Sequence, residues 1–183
     1  MIAIMSPELT SRLGRLAGRD LEFAPGAAVF HRGDAVHFVH MVRAGVIHLV
    51  RHQANGAALT LQRAASGSIL AEASVYSDSY HCDARAETPA ATRAIARETF
   101  LHALAGDAAL ALEWTRHLAN EVQRARLHAE ILSLRTVAAR LDAWLAWNRA
   151  LPRKGLWANV AHEISVSPEA LYREVARRGR APA

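Results

Sequence analysis

The sequence predicts an α+β protein whose first half is β structure and whose second half is helical. Gly45, Gly56 and Gly67 recur every eleven residues, which is the spacing of successive short strands in a sandwich or barrel. Asn55-Gly56 is a strong hairpin signal because both residues tolerate positive φ. After Gly106 the apolar residues change to a helical period, so we expect the β structure to end before that point.

Two segments beside the expected hairpin have strand composition. Residues 46–50 (VIHLV) and 58–61 (ALTL) carry β-branched or alternating apolar residues. We expect β structure from residue 21 to about residue 103. Near the start of the chain, Ser6 and Pro7 suit a helix cap and a first helical turn.

Composition limits the class of protein. The 183 residues suffice for one large domain or two small ones, and no apolar run approaches the roughly 18–20 residues that span a bilayer. The first residues lack the layout of a signal peptide. A single cysteine cannot form an internal disulfide or a four-thiolate metal site. We therefore expect a soluble cytoplasmic protein without a membrane partner.

The positive charge is concentrated in the last third of the chain. The net charge is +5, yet the chain up to Thr115 has ten Arg against eleven acidic residues. From Arg116 onward there are eleven Arg and one Lys against six acidic residues. A basic end on a near-neutral body favours a polyanion partner, with nucleic acid ahead of a membrane surface. A solvated, arginine-rich helix surface stays open as the alternative.

A heptad-like apolar seam follows Gly106. Its steps are 4, 4, 3, 4 and 3, and its members are Trp114, Leu118, Val122, Ala125, Ala129 and Leu132. We predict one long helix over residues 106–134 that forms the interface of a homodimer. The alternative is that this stripe rests on the β domain.

The C-terminal segment has the pattern of a helix-turn-helix. A second helix is expected over 135–148, and Pro152 and Gly155 then break the helical pattern. The segment WANVAHEISVSPEALYREVARR predicts a short helix, a turn at Ser165-Val166, and a further helix with Ser167 as cap and Pro168 in its first position.

Six apolar residues are spaced to pack these two short helices together, namely Val160, Ala161, Ile164, Val166, Leu171 and Val175. Because the second helix of such a motif enters the major groove, we predict a double-stranded DNA partner. The expected contact residues are Ser167, Glu169, Ala170, Tyr172, Arg173 and Arg177. An amphipathic helical hairpin without a special purpose is the alternative.

Taken in order, these parts resemble the Crp/Fnr family of bacterial transcription regulators. The similarity runs from residue 21 to 178 and includes FAPGAAVFHRGD (23–34), VRAGVIHLVRHQANG (42–56) and GSILAEASVYSDSYHCDARA (67–86). It implies an N-terminal antiparallel, jelly-roll-like β-roll sensor (1–105), a dimerisation helix (106–134) and a helix-turn-helix domain (135–183). The family's C-terminal wing is expected to be shortened or absent, since GRAPA follows Arg178.

The resemblance also implies an effector pocket on the β-roll, formed by Gly67, Glu72, Ser74, Cys82 and Asp83. In nucleotide-binding relatives a Glu holds the ribose, and an Arg-Ser or Arg-Thr pair holds the cyclic phosphate. Cys82-Asp83 replaces that pair here. A neutral thiol cannot make the bidentate contact of a guanidinium, and a carboxylate repels phosphate. We therefore expect that cyclic AMP is not the effector.

Several roles are open for the adjacent residues His81, Cys82 and Asp83. Adjacent strand residues point to opposite faces, which argues against a Cys–His nucleophilic pair and so against an enzyme. Metal or haem binding through Cys82 with a distant histidine stays open, as does redox sensing by its thiol. The favoured interpretation is a structural Cys–Asp pair beside an empty or differently filled pocket.

On the recognition helix, the resemblance places base contacts at Pro168, Glu169 and Arg173. Glu169 suits cytosine N4 and Arg173 suits guanine or phosphate, whereas Pro168 cannot contact a base by hydrogen bonding. Ser165 replaces the turn glycine of relatives at a modest conformational cost. The function predicted is a homodimeric DNA-binding regulator with a small-molecule effector. The alternative is a sensor or interaction module that has lost productive DNA binding.

Overall fold

The computed structural model describes residues 5–52 and 58–179. The chain divides into two compact units, Met1–Glu121 and Val122–Ala183. The expected hairpin turn at Asn55-Gly56 and the residues after Gly179, where a wing would start, lie outside the described residues.

The described part of the first unit contains eight strands in two antiparallel four-stranded sheets. Across the first sheet the strands are β1 (Gly18–Phe23), β8 (Ala90–Ala96), β3 (Phe38–Ala44) and β6 (Ile69–Leu70). Across the second they are β2 (Ala28–Phe30), β7 (Asp83–Ala86), β4 (Val46–His52) and β5 (Ala58–Ala65). The predicted antiparallel β-roll is therefore confirmed.

Two of the regularly spaced glycines occupy turns with positive φ. Gly45 joins β3 to β4 with φ 76°, and a Cβ added there would overlap the carbonyl oxygen of Pro89. Gly67 lies between β5 and β6 with φ 87°. Both positions therefore favour glycine, and both lie between strands, as the glycine spacing predicted.

The space between the two sheets forms the core of the roll. Ile47 and Leu49 of β4 meet Val42 of β3 and Leu70 of β6 there, all of them buried. The alternation of β3 then turns Val39 and Met41 to the opposite face of the first sheet. Helices cover that face, so the middle of β3, from Val39 to Val42, is buried on both sides.

Two helices of the first unit contribute to this cover, α1 (Pro7–Gly14) and α2 (Arg97–Gly106). Ser6 caps α1 as predicted, since its side chain accepts the N–H of Leu9 at 3.1 Å. Our expectation that β structure continues to about residue 103 was wrong, because residues 97–106 are helical. Phe100 is fully buried and packs edge-on against Trp114, so tertiary packing determines the structure of this segment.

The remaining helices are α3 (Ala108–Ser133), α4 (Val137–Asn148), α5 (Trp157–Glu163) and α6 (Pro168–Gly179). The second unit has its own core, formed by Ile131, Leu141, Trp144, Val160, Ala161, Ile164 and Leu171. Among the described residues, no helix has the length and apolar content needed to cross a membrane.

Candidate functional site

The predicted effector site begins at the turn before β6. The N–H of Gly67 donates to the carbonyl oxygen of Val42 at 3.0 Å, and its own carbonyl accepts the N–H of Met5 at 2.9 Å. After β6, Ala71 has φ 50°, and a short 3-10 helix covers Glu72–Ser74. Gly67 thus connects elements of the roll, while the 3-10 helix presents the two polar side chains of the predicted site.

Glu72 is a largely buried carboxyl group. Gln62 Nε2 donates to its Oε2 at 3.4 Å and also to the carbonyl oxygen of Ile69 at 3.2 Å. Burial raises the pKa of Glu72, and the nearby carboxylate of Glu121 adds to the effect. The carboxyl group that would hold a ribose therefore contacts an amide of this chain.

Ser74 is fully buried and is also engaged within the chain. Its Oγ is hydrogen-bonded to His81 Nδ1 at 2.8 Å. Arg51 Nη2 donates to the carbonyl oxygen of His81 at 3.1 Å, which fixes the backbone of that residue. The Arg51 guanidinium thus contacts the carbonyl oxygen of His81. The His81 imidazole is hydrogen-bonded to the Ser74 hydroxyl, which is therefore already engaged within the chain.

Cys82 lies in the core between the two sheets and has no exposed surface. Burial raises the pKa of its thiol to about 11, and Arg51 only partly opposes this effect. A thiol that stays protonated and inaccessible is a poor nucleophile and a poor redox sensor. This environment supports the structural interpretation of Cys82.

Asp83 has a different set of partners. Its Oδ1 accepts the N–H of Arg32 at 3.0 Å and lies 3.5 Å from His31 Nδ1, while its Oδ2 lies 3.9 Å from His52 Nε2. The Arg32 N–H is the main reason why the pKa of this carboxyl is lowered, and the two histidines contribute. Asp83, one of the predicted pocket residues, therefore contacts the turn between β2 and β3 and the end of β4.

Metal binding finds no support in residues 5–52 and 58–179. No group of three or more His, Cys, Asp or Glu side chains there is placed to hold a metal ion. The Asp83 carboxylate instead accepts the N–H of Arg32 and lies near the His31 and His52 rings, which makes one carboxylate and two imidazoles without the placement of a metal site.

The predicted nucleic-acid interface is α6 with the turn before it. Ser167 caps α6 by accepting the N–H of Ala170 at 3.2 Å. Leu171 is buried against α5, whereas Glu169 and Arg173 are exposed on α6. The structure therefore brings an acidic and a basic side chain to one open face of this helix.

The other predicted contact residues have partners inside the second unit. Tyr172 donates its hydroxyl to the carbonyl oxygen of Lys154 at 3.3 Å, and its ring packs on Trp157. Arg177 forms a two-point contact with Glu174, with distances of 2.9 and 2.7 Å. Glu174 also accepts from Arg178, and these guanidinium hydrogen bonds lower the pKa of its carboxyl to about 2.

Arg140 organises the helix-turn-helix, and we missed it in the sequence. Its guanidinium donates to the carbonyl oxygens of Ile164 and Ser165 at 3.1 and 2.8 Å, and to that of Leu134 at 2.8 Å. Ser165 has φ 51°, as a turn position normally held by glycine requires. A long-range contact of this kind leaves no local sequence signal.

The predicted seam of α3 divides into two parts. Trp114 is buried and Leu118 packs against the core of the first unit, so these two positions serve the chain's own fold. Further along, Val122 and Leu132 are 49% and 41% exposed. Ala125 and Ala129 are also exposed, which leaves four apolar positions at steps of 3, 4 and 3 on the surface.

The amino-acid sequence matches one known domain family. Residues 20–107 match the family described as the cyclic nucleotide-binding domain. No curated protein matches the sequence.

Several solved structures share the fold. FixK2 from Bradyrhizobium japonicum superposes with a TM-score of 0.69 at 16% identity, covering 88% of this chain and 84% of that one. The catabolite activator protein of Thermus thermophilus gives 0.58 at 21% identity, covering 97% and 88%. The sensor domain of the transcriptional regulator DNR from Pseudomonas aeruginosa gives 0.53 at 23% identity, covering 71% and 81%. These similarities show the fold of the chain.

Proposed function

We propose that this chain, which has a cyclic nucleotide-binding domain sequence and the fold of Crp/Fnr-type transcription regulators, is itself a cytoplasmic, homodimeric, DNA-binding regulator. The observation that carries this proposal is the helix-turn-helix formed by α5 and α6. Its second helix, α6, has a polar face that is open to solvent.

The geometry of this motif supports DNA binding. Ile164 and Leu171 are fully buried between the helices, so the crossing of α5 and α6 is fixed by packing. Glu169 and Arg173 are exposed one helical turn apart. The pKa of Glu169 is lowered mainly by a hydrogen bond from its own backbone N–H and by the Ser167 side chain, and the positive charge of Arg173 contributes less. A carboxylate at this position suits cytosine N4, and a guanidinium suits guanine or phosphate.

The basic residues of α6 differ in their availability. Among described residues, none forms a hydrogen bond with the guanidinium of Arg173. Arg177 is exposed but contacts Glu174, while Arg178 bridges Glu174 and Asp142. We therefore assign the leading contact with DNA to Arg173, and a supporting phosphate contact to Arg177.

The exposed part of the seam supports a homodimer. Val122, Ala125, Ala129 and Leu132 follow the heptad steps of a two-stranded coiled coil, and small alanines let two helices approach closely. Because a helix-turn-helix dimer binds two half-sites, we expect a target with two-fold symmetry.

The effector of this β-roll is proposed not to be a cyclic nucleotide. The chain has Cys82 where a phosphate-binding arginine is expected, and that thiol is in the core. Ser74 and Glu72 are hydrogen-bonded to His81 and Gln62. Without an ion pair to the phosphate, a cyclic nucleotide loses the strongest contact of the site. A micromolar affinity for cyclic AMP or cyclic GMP in calorimetry would contradict this part of the proposal.

A gel shift on the DNA upstream of the protein's own gene tests the DNA partner. We expect a retarded complex at low salt that weakens at higher salt, since phosphate contacts release counterions. Arg173→Ala should abolish or strongly weaken the complex, and Arg43→Ala, at an exposed position of β3, should leave it unchanged. Complete absence of binding at low salt would favour a sensor or interaction module instead.

A further inference from the structure

A cavity lies on the first unit, apart from the predicted effector residues. Its volume is about 370 Å³, and Phe30, Asp34, His37, Phe38, His40 and Tyr80 are among its lining residues. Gly67, Glu72, Ser74, Cys82 and Asp83 do not line it. The cavity is therefore a separate feature of the roll.

The aromatic side chains of this cavity are held in place. Phe30 and Tyr80 stack with ring centroids 3.6 Å apart and an interplanar angle of 7°. The Tyr80 hydroxyl donates to the carbonyl oxygen of Phe38 at 2.7 Å, which fixes the stacked pair to β3. Walls that are already ordered reduce the entropy cost of binding a flat ligand.

His40 adds a neutral polar group to these aromatic walls. Its ring lies 6.0 Å from that of Phe30, and its Nδ1 is hydrogen-bonded to Thr92 Oγ1 at 3.2 Å. Burial, together with the positive charge of Arg19, lowers the pKa of His40 to about 4, so the imidazole is uncharged at neutral pH. Within the described residues its Nε2 makes no hydrogen bond, which leaves one ring nitrogen for a ligand.

Among the described residues that line the cavity, Asp34 is the one carboxylate, and neither Lys nor Arg lines it. Asp34 contributes a carboxylate to the lining, and its Oδ2 already accepts the N–H of His31 at 2.7 Å. The guanidinium of Arg19 lies 4.6 Å from the centroid of the Phe38 ring. Arg19 does not line the cavity, and its cation–π contact already covers one face of the Phe38 ring, so a ligand would use the remaining lining surface of that ring.

We propose that this cavity is a binding site for a small aromatic amine, whose ring packs on Phe38 beside the edges of the stacked Phe30 and Tyr80 rings and whose ammonium group faces Asp34. The site does not depend on DNA binding. It differs from the predicted effector site in its residues.

Calorimetry with three probes of similar shape tests this inference on the full chain. Tryptamine carries a cation, indole is neutral, and indole-3-acetate carries an anion. We expect saturable binding in the order tryptamine, indole, indole-3-acetate, with about threefold to tenfold between the first and the last because an exposed carboxylate contributes modestly. Equal affinity for the three probes would overturn the role of Asp34.

Two pairs of variants locate the site. Ala35→Trp places a bulky side chain at an exposed lining position and should abolish binding of tryptamine and indole, whereas Ala105→Trp, on the exposed side of α2, should not. Asp34→Asn should weaken tryptamine about twofold to fivefold and leave indole unchanged. Asp78→Asn, at an exposed position outside the cavity, should change neither affinity.

Two results would refute the inference. One is the absence of saturable heat with tryptamine and with indole while circular dichroism shows a folded protein. The other is binding of the same strength in Ala35→Trp, which would place the ligand elsewhere on the molecule.

Discussion

Arg140 Nη1 donates a hydrogen bond to the carbonyl oxygen of Ser165 at 2.8 Å, which joins the first turn of α4 to the turn between α5 and α6. The same guanidinium also contacts the carbonyl oxygens of Leu132 and Leu134 at the end of α3. Carbonyl groups at helix ends lack intrahelical partners, so one side chain satisfies several of them at once. The orientation of the helix-turn-helix thus depends on a residue outside it.

Arg140→Ala should lower the free energy of unfolding of the second unit by about 1–3 kcal/mol, because it removes charged hydrogen bonds to partly exposed carbonyl groups that water can replace in part. Denaturant unfolding followed by circular dichroism measures the change. Arg153→Ala, at an exposed position before α5, is the matched control and should have little effect. Equal stability of the two variants would contradict the role given to Arg140.

Ser165→Gly should stabilise the protein by about 0.5–1 kcal/mol. Ser165 has φ 51°, where a Cβ is unfavourable, and glycine removes that cost while adding some flexibility to the unfolded chain. The midpoint of denaturant unfolding is the measurement. Ser165→Ala keeps the Cβ and should give no gain, so stabilisation by alanine but not by glycine would refute the explanation.

Val122→Glu should weaken the proposed dimer at least tenfold, because it places a charge in the exposed apolar seam that would form the helix pair. Sedimentation equilibrium of the wild type and the variant measures the dissociation constant. Gln123→Glu adds the same charge at the next, exposed position of α3 and should leave the dimer intact. A wild-type protein that sediments as a monomer at high concentration would exclude this interface.

The pH dependence of stability should include a contribution from His40. Its pKa is about 4 in the folded protein and about 6.5 in an unfolded chain, so the unfolded state takes up the proton first as the pH falls. The contribution is fully present above pH 6.5 and is lost towards pH 4, for a total of about 3 kcal/mol.

Unfolding at several pH values from 7 to 4 measures this loss of stability. His40→Gln should flatten the profile, and His37→Gln, at an exposed neighbouring position, should not. An imidazole NMR titration of the folded protein gives a direct check. A His40 ring that titrates near pH 6.5 would contradict its burial as a neutral group.

The sequence predicted those parts of the fold that depend on local signals. Ser6 and Ser167 were recognised as helix caps, and both accept a backbone N–H in the structure. Pro168 was placed at the start of the last helix, which begins there. The β structure of the first half followed from regular glycine spacing, and Gly45 and Gly67 occupy turns with positive φ. Caps and turns are readable because their chemistry lies within a few residues.

Contacts between distant residues were not predictable in this way. The seam of α3 was continuous in the sequence, yet Trp114 packs on Phe100 inside the first unit. The Cys82-Asp83 pair was expected to share a pocket, but Cys82 is in the core and Asp83 contacts Arg32. Helical or strand periodicity identifies an apolar or polar face without identifying what covers it. Only the three-dimensional arrangement assigns the partner.

The most direct test of the proposed function is the salt dependence of DNA affinity, measured by fluorescence anisotropy on the upstream fragment with wild type and Arg173→Ala. The wild type should bind, and log K should fall linearly with log salt by about 0.9 per phosphate contacted. Arg173→Ala should bind more weakly, and its slope should be shallower by about 1 if the side chain contacts phosphate. A folded, dimeric wild type that shows no binding at the lowest salt would contradict DNA binding by this chain.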